Sequence, residues 1–253
     1  MNATLRPLLD LHPSLWTAQH WSRPGSACLP SGFPVLDAEL PDGGWPTGHL
    51  IELLCSADCS PLSLLLPAIN TIDAQRLRVL IAPPYQPVHS LWQAPNSTMG
   101  AGASPDGMPP SQSPAPLLWI RCQHASDTVW ACAQALRHGH CAAILTWLPT
   151  KVPPAALRQL QLLASQSDSL FICLRPLAAQ HAPSPALLRL QLDTRQDAQG
   201  QAWLDVHIRK RRGPPCLQPI ALRPPHRLAA STPDAHRHGS LPVSTPARSR
   251  QAA

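Results

Sequence analysis

The 253-residue chain carries 20 Lys and Arg against 14 Asp and Glu, a formal charge of +6, with 32 prolines and eight cysteines. The length suits one domain able to bury a core, and the lack of any run of eighteen apolar residues, or of a basic-then-apolar leader in MNATLRPLLDLHPSLW, points to a cytoplasmic protein with no membrane role and with reduced thiols rather than a disulfide framework. The positive charge is a property of the C-terminal end: nine cations follow residue 208 against Asp234 alone, while residues 1–208 hold 11 positives and 13 negatives.

Residues 1–27 contain an apolar, aromatic stretch from Leu5 to Trp21 without a clean helical period. The segment SGFPVLDAELPDGGWPTGHLIELLC follows, and its turn residues Asp42, Gly43, Gly44 and Pro46 lead into an apolar strand over His49 to Leu54. Ser60 to Ile72 reads as a leucine-rich helix with Pro61 in its first turn. Leu77 to Ala82 is the next strand, stopped by Pro83 and Pro84. Residues 94–116 hold six prolines, three glycines and four serines, the composition of a disordered surface loop.

Leu117 to Cys122 is a third strand, followed by a helix from Ser126 to His138 with Ser126 as N-cap, Gly139 as C-cap, and Val129, Ala133 and Leu136 on one face. CAAILTWLP has the continuous apolar run of a strand covered on both sides. A helix over Pro154 to Ser165 turns Leu157, Leu160 and Ala164 inward. Ser169 to Arg175 is the fifth strand, and Leu187 to Asp193 and Trp203 to Lys210 form an antiparallel pair around a turn at Asp197 to Gly200. The alternation predicts an α/β fold with a mainly parallel sheet and helices on both faces. From Gly213 onward the prolines, serines, histidines and arginines predict a disordered basic tail over 213–253.

The stretch Ser31 to Leu54 resembles the opening of the RecA-type fold, in which a Gly-x-x-x-Leu-Asp pattern and a glycine-rich turn lead into the strand before a phosphate loop. With LLLPAI, IAPPYQP, ALRHGHCAAILTWLP, LRQLQLLA, SPALLRLQL and IRKRRGPP, the combination is similar to the ImuA family, RecA-like proteins associated with translesion DNA synthesis. The resemblance covers roughly residues 11–215. It implies a RecA-like domain over 28–212 preceded by a partner-binding segment.

A working phosphate loop reads G-x-x-x-x-G-K-[ST]: backbone N–H groups wrap the phosphates, the lysine offsets their charge and the hydroxyl holds magnesium. At that position this chain has Cys55, Ser60, Pro61 and Leu62, with neither glycine, lysine nor hydroxyl in place, and Pro61 lacks an N–H. APPYQP stands where a RecA-type ATPase carries a glutamate, and Trp147 where the metal-binding carboxylate ends its strand. These losses predict a protein that does not hydrolyse ATP and holds no cofactor.

Cys55 and Cys59, and the group Cys122, His124, His138, His140 and Cys141, lack the paired C-x-x-C spacing of a closed zinc site and read as buried thiols and loop histidines. Asp37 and Glu39 read as turn and surface acids, and no Ser, His and Asp set marks a nucleophile. Most of the eight tryptophans are expected in the core, with Trp16 and Trp21 as partner-facing anchors. Arg209, Lys210, Arg211 and Arg212 at a strand end are the candidate contact to single-stranded DNA or a partner. Four neutralised phosphates would give a log–log salt slope of roughly −3.

The leading expectation is a non-catalytic accessory protein of damage-induced (SOS) mutagenesis that works by contact. By resemblance its partners are a Y-family polymerase-like protein, an error-prone replicative-type polymerase and RecA, with single-stranded DNA as a further candidate. The alternatives are a cell-division inhibitor of the SulA kind, which shares the degenerate RecA-type outline, and a RecA-type ATPase paralogue.

Overall fold

A computed structural model describes residues 28–223, apart from residues 57, 74, 87–91, 93–115 and 198. Trp16 and Trp21, nearly all of the 94–116 loop, and the tail beyond 223 lie outside the described residues.

The central sheet has eight strands: β3 (Leu50–Cys55), β4 (Leu77–Ile81), β5 (Leu117–Ile120), β6 (Cys141–Trp147), β7 (Leu170–Pro176), β8 (Leu188–Gln196), β9 (Ala202–Lys210) and β10 (Ile220–Leu222), in the order β10-β9-β8-β3-β7-β6-β4-β5. The pairings from β8 to β5 are all parallel, and β9 and β10 add antiparallel at the far side. A two-residue ribbon, β1 (Cys28–Leu29) with β2 (Trp45–Pro46), stands apart. The expected α/β class, mainly parallel sheet and antiparallel C-terminal pair are therefore present.

Parallel strands covered on both faces are apolar throughout, and two core layers result. One holds Ile51, Leu53, Leu145, Ile172, Leu190 and Val206 against α1 (Pro34–Asp37) and α2 (Leu62–Thr71). The other holds Leu50, Val79, Ile144 and Phe171 under α3 (Ala125–His138) and α4 (Pro154–Ala164). In α4 the buried residues are Leu157, Leu160 and Ala164, the three the period selects. Gly139 caps α3 at φ 68 in the left-handed region, where glycine avoids the Cβ clash.

The segment before β3 is built on glycine geometry. Gly32 has φ +86, and a Cβ there would lie 2.6 Å from Pro67 of α2. A Cβ on Gly44 would meet the Leu29 carbonyl at 2.6 Å, so the ribbon closes only with glycine at that place. The Asp37 carboxylate accepts from the Ser31 N–H at 2.8 Å, Leu36 and Trp45 are wholly buried, and the Gly-x-x-x-Leu-Asp pattern is thus a clamp between the chain's entry and α2.

Two expectations are corrected. The N-cap of α3 is His124, with extended φ −122 and ψ 154; Ser126 lies inside the helix, its hydroxyl donating to Asp127 at 3.3 Å. The ordered chain also does not end at Arg212: Ile220 and Leu222 are buried, Ala221 is exposed, and the triplet pairs with Leu204 to Val206, the alternation that a one-sided edge strand requires.

Candidate functional site

The loop from Cys55 to α2 leaves the C-terminal end of a central strand, the crevice where open α/β sheets bind ligands. Three of the donors that could face an anion there are turned inward. Cys59 N–H bonds Ser56 O at 3.2 Å, Ser63 N–H bonds Ser60 O at 3.2 Å and Leu64 N–H bonds Pro61 O at 3.1 Å, while the Ser63 hydroxyl donates to Ser60 O at 2.7 Å. Pro61 is the N-cap residue, just ahead of Leu62, with no side-chain cap. Two of the orphan donors at the helix start, Ser63 and Leu64, are thus satisfied by the carbonyls just before it.

Two thiols occupy the loop. Cys55 and Cys59, both half-buried against the α2-side core, face each other: a hydrogen bond from Cys55 lowers the Cys59 pKa, helped by Thr194 and opposed by burial, while the same contact and burial raise that of Cys55. Asp193 of β8 adds a negative field that raises both. A field of that sign repels phosphate.

The other edges of the crevice are equally far from phosphate chemistry. After β4, Ala82 holds φ 54, a conformation costly for any residue with a Cβ, and its N–H bonds Ile120 O at 2.8 Å. At the end of β6, Trp147 packs against the α2-side core, and the preceding Thr146 is buried with its hydroxyl beside the Cys132 thiol.

Below the loop lies a charge cluster that sequence reading did not single out. Glu52, wholly buried in β3, accepts from Arg175 of β7 at 2.7 Å and from Arg189 of β8 at 2.6 Å. Arg175 also donates to Thr150 O at 2.8 Å, and Arg189 to Ala179 O and Gln180 O at 3.2 and 3.3 Å. Buried charges persist only when paired and hydrogen-bonded; here the paired charges fix the β6–α4 connection and the crossover after β7 to β3. A charged residue inside an apolar strand, as in LIELL, is the signal that finds such a cluster.

The basic run at the end of β9 is not one surface. A bulge between β8 and β9, at Arg189/Leu190, re-aims successive side chains. Arg209, exposed, donates to Gln191 at 2.9 Å; Lys210, exposed, donates to Ser184 O at 3.2 Å. Arg211 is tied to Glu39 at 2.6 Å and to Pro214 O at 2.7 Å. Arg212, half-buried, lies close enough to His49 to help depress its pKa, whose main cause is burial. Glu39 is therefore an ion-pair partner rather than a plain surface acid.

Among the described residues no three His, Cys, Asp or Glu side chains come together as metal ligands would, and all eight cysteines are free thiols. No helix among them is long and apolar enough to cross a membrane. Of the described tryptophans, Trp45 and Trp92 are fully buried, while Trp130 on α3 is 66% exposed. No family model matches the sequence, and no curated protein matches it significantly.

Proposed function

We propose that this protein is a non-catalytic adaptor of damage-induced translesion DNA synthesis, a RecA-like body whose nucleotide position has been rebuilt as a structural loop. The observation that carries this reading is the loop between β3 and α2: the Cys59, Ser63 and Leu64 amides bond the carbonyls of Ser56, Ser60 and Pro61, Pro61 has no N–H, and Cys55, Cys59 and Asp193 stand where an anion would need a lysine. A site of this kind contributes surface rather than chemistry. The similarity of the sequence to the ImuA family supplies the partners: a Y-family polymerase-like protein, an error-prone replicative-type polymerase and RecA, with single-stranded DNA at the exposed Arg209 and Lys210.

Two measurements on the full chain test the reading. Equilibrium binding of radiolabelled ATP with magnesium is expected to show no saturable site, and co-purification from damaged cells at moderate salt is expected to recover the polymerase components. Magnesium-dependent saturation would restore the ATPase reading. Filamentous cells on overexpression, without raised damage-dependent mutation, would transfer the assignment to a cell-division inhibitor.

A further inference from the structure

We propose that the outward face of the α3–α4 layer is a docking surface for an acidic, amphipathic segment of a partner protein. Trp130 of α3 is 66% exposed and Leu162 of α4 is 62% exposed, although the two helices pack side by side on one sheet face. Both project away from that face, since the buried sets are Thr128, Ala131, Cys132 and Leu136 on α3 and Leu157, Leu160 and Ala164 on α4. An exposed tryptophan on a rigid helix is the side chain most often found as a binding anchor.

The charge around the two apolar side chains selects the occupant. Arg137 lies seven residues after Trp130 and Arg158 four before Leu162, so each shares a helical stripe with its apolar neighbour. With Lys151 in the connection into α4, all three are exposed and none forms a hydrogen bond or ion pair among the described residues. Lys151 precedes α4 and Arg158 is the fifth of its eleven residues; no ion pair within the described residues accounts for them. Asp127 is the one carboxylate in α3, and α4 has none.

The chain's own remaining segments do not supply the complement. Residues 1–27 contain one acid, Asp10, against Arg6 and Arg23; residues 93–115 contain only Asp106; residues 224–253 carry four arginines against Asp234. A second copy docking face to face would set Arg137, Arg158 and Lys151 against themselves. A foreign segment with apolar residues at i, i+3 or i+4, and i+7 and carboxylates along its flanks meets both features.

The test uses the full-length protein and a fluorescein-labelled amphipathic helical peptide with leucines on one face and glutamates on the other. Matched peptides carry lysine in place of glutamate, or the same composition with the apolar spacing scrambled. Saturable binding of the glutamate peptide is expected, at least tenfold tighter than the lysine peptide, with Trp130→Ala lowering affinity by about thirtyfold. Arg137→Glu with Arg158→Glu is expected to weaken binding and flatten its salt dependence; all three positions are exposed, so the variants keep the fold. Absence of binding, equal binding of the glutamate and lysine or scrambled peptides, or insensitivity to Trp130→Ala overturns the proposal. A tighter, Trp130-dependent association with an oligothymidylate also overturns it and reassigns the face to nucleic acid.

Discussion

Glu52 and Arg175 meet at 2.7 Å across the β3–β7 pair, with both side chains almost completely withdrawn from water. Because Arg189 shares the same carboxylate, removing Glu52 strands two guanidinium groups in a low-dielectric layer. Breaking a buried pair by deleting one partner costs about 3–5 kcal/mol. Glu52→Ala is therefore expected to lower the unfolding free energy in urea titrations by at least that amount, and Arg189→Ala, whose side chain is partly exposed, by less. An equal loss for the two variants would show that Arg189 is held as tightly as Arg175.

The proposed contact to single-stranded DNA is tested by its salt dependence, which separates the four cations at the end of β9. Arg211 is occupied by Glu39 and Arg212 is half-buried beside His49, which leaves the exposed Arg209 and Lys210 for phosphate. Two contacts correspond to a log–log slope of about −1.4, against about −3 for four. Lys210→Ala is expected to flatten the slope by about 0.7, whereas Arg211→Ala leaves the slope unchanged and lowers stability. Filter binding across a salt series reads both.

How much of this was legible in the sequence depended on how far apart the interacting residues lie. Cys141–Trp147 and Leu170–Pro176 announced themselves because strands covered on both faces are nearly all apolar, broken here only by Thr146 and Arg175 near their ends, and α4 because Pro153 and Pro154 mark its start. Glu52 finds its partners 123 and 137 residues away, and Arg211 finds Glu39 at a separation of 172; no local pattern encodes such pairs. The run Arg209 to Arg212 looked like one patch because a bulge that reverses side-chain direction leaves no mark in composition. Ile220–Leu222 was hidden by its length of three residues in a proline-rich context. Trp130 lies about 90° round the helix from the Val129, Ala133 and Leu136 face, so the period alone did not announce its exposure; it stands opposite the face that is actually buried, centred on Thr128, Cys132 and Ala135.

Backbone strain offers a pair of substitutions with opposite signs. Gly48 has φ +69, and a Cβ there would lie 2.8 Å from the Ser167 carbonyl, so Gly48→Ala meets both a conformational and a steric penalty and is expected to cost about 2 kcal/mol or more. Ala82 already occupies φ 54. Ala82→Gly relieves about 1–2 kcal/mol of left-handed strain and loses about 0.5–1 kcal/mol to unfolded-state entropy, so a small gain in stability is expected. Thermal unfolding of the two variants measures both.

His49 makes stability depend on pH in one direction. Burial, followed by the nearby Arg212, holds its pKa below the ordinary 6.5, with Asp42 opposing; its Nδ1 lies 3.4 Å from Gln161 Nε2. The unfolded chain therefore takes up the proton first as pH falls. The contribution of His49 is complete above about pH 6.5 and is lost as the pH drops through the depressed folded value. Urea midpoints are expected to fall on acidification into this window in the wild type, and His49→Asn is expected to flatten that part of the profile.

The two loop thiols should differ in reactivity despite their proximity. The thiolate is the reactive form, and the hydrogen bond from Cys55 lowers the pKa of Cys59 while raising that of Cys55. Iodoacetamide under native conditions is expected to label Cys59 ahead of Cys55, whose pKa is raised, ahead of Cys173, whose pKa full burial raises, and ahead of Cys132, which burial pushes up to about 12. Cys55→Ala removes the donor that stabilises the Cys59 thiolate, so labelling of Cys59 should slow severalfold at pH 7.5. Mass spectrometry of timed digests distinguishes the sites, and faster labelling of Cys59 in that variant would mean that Cys55 shields the thiol rather than activating it.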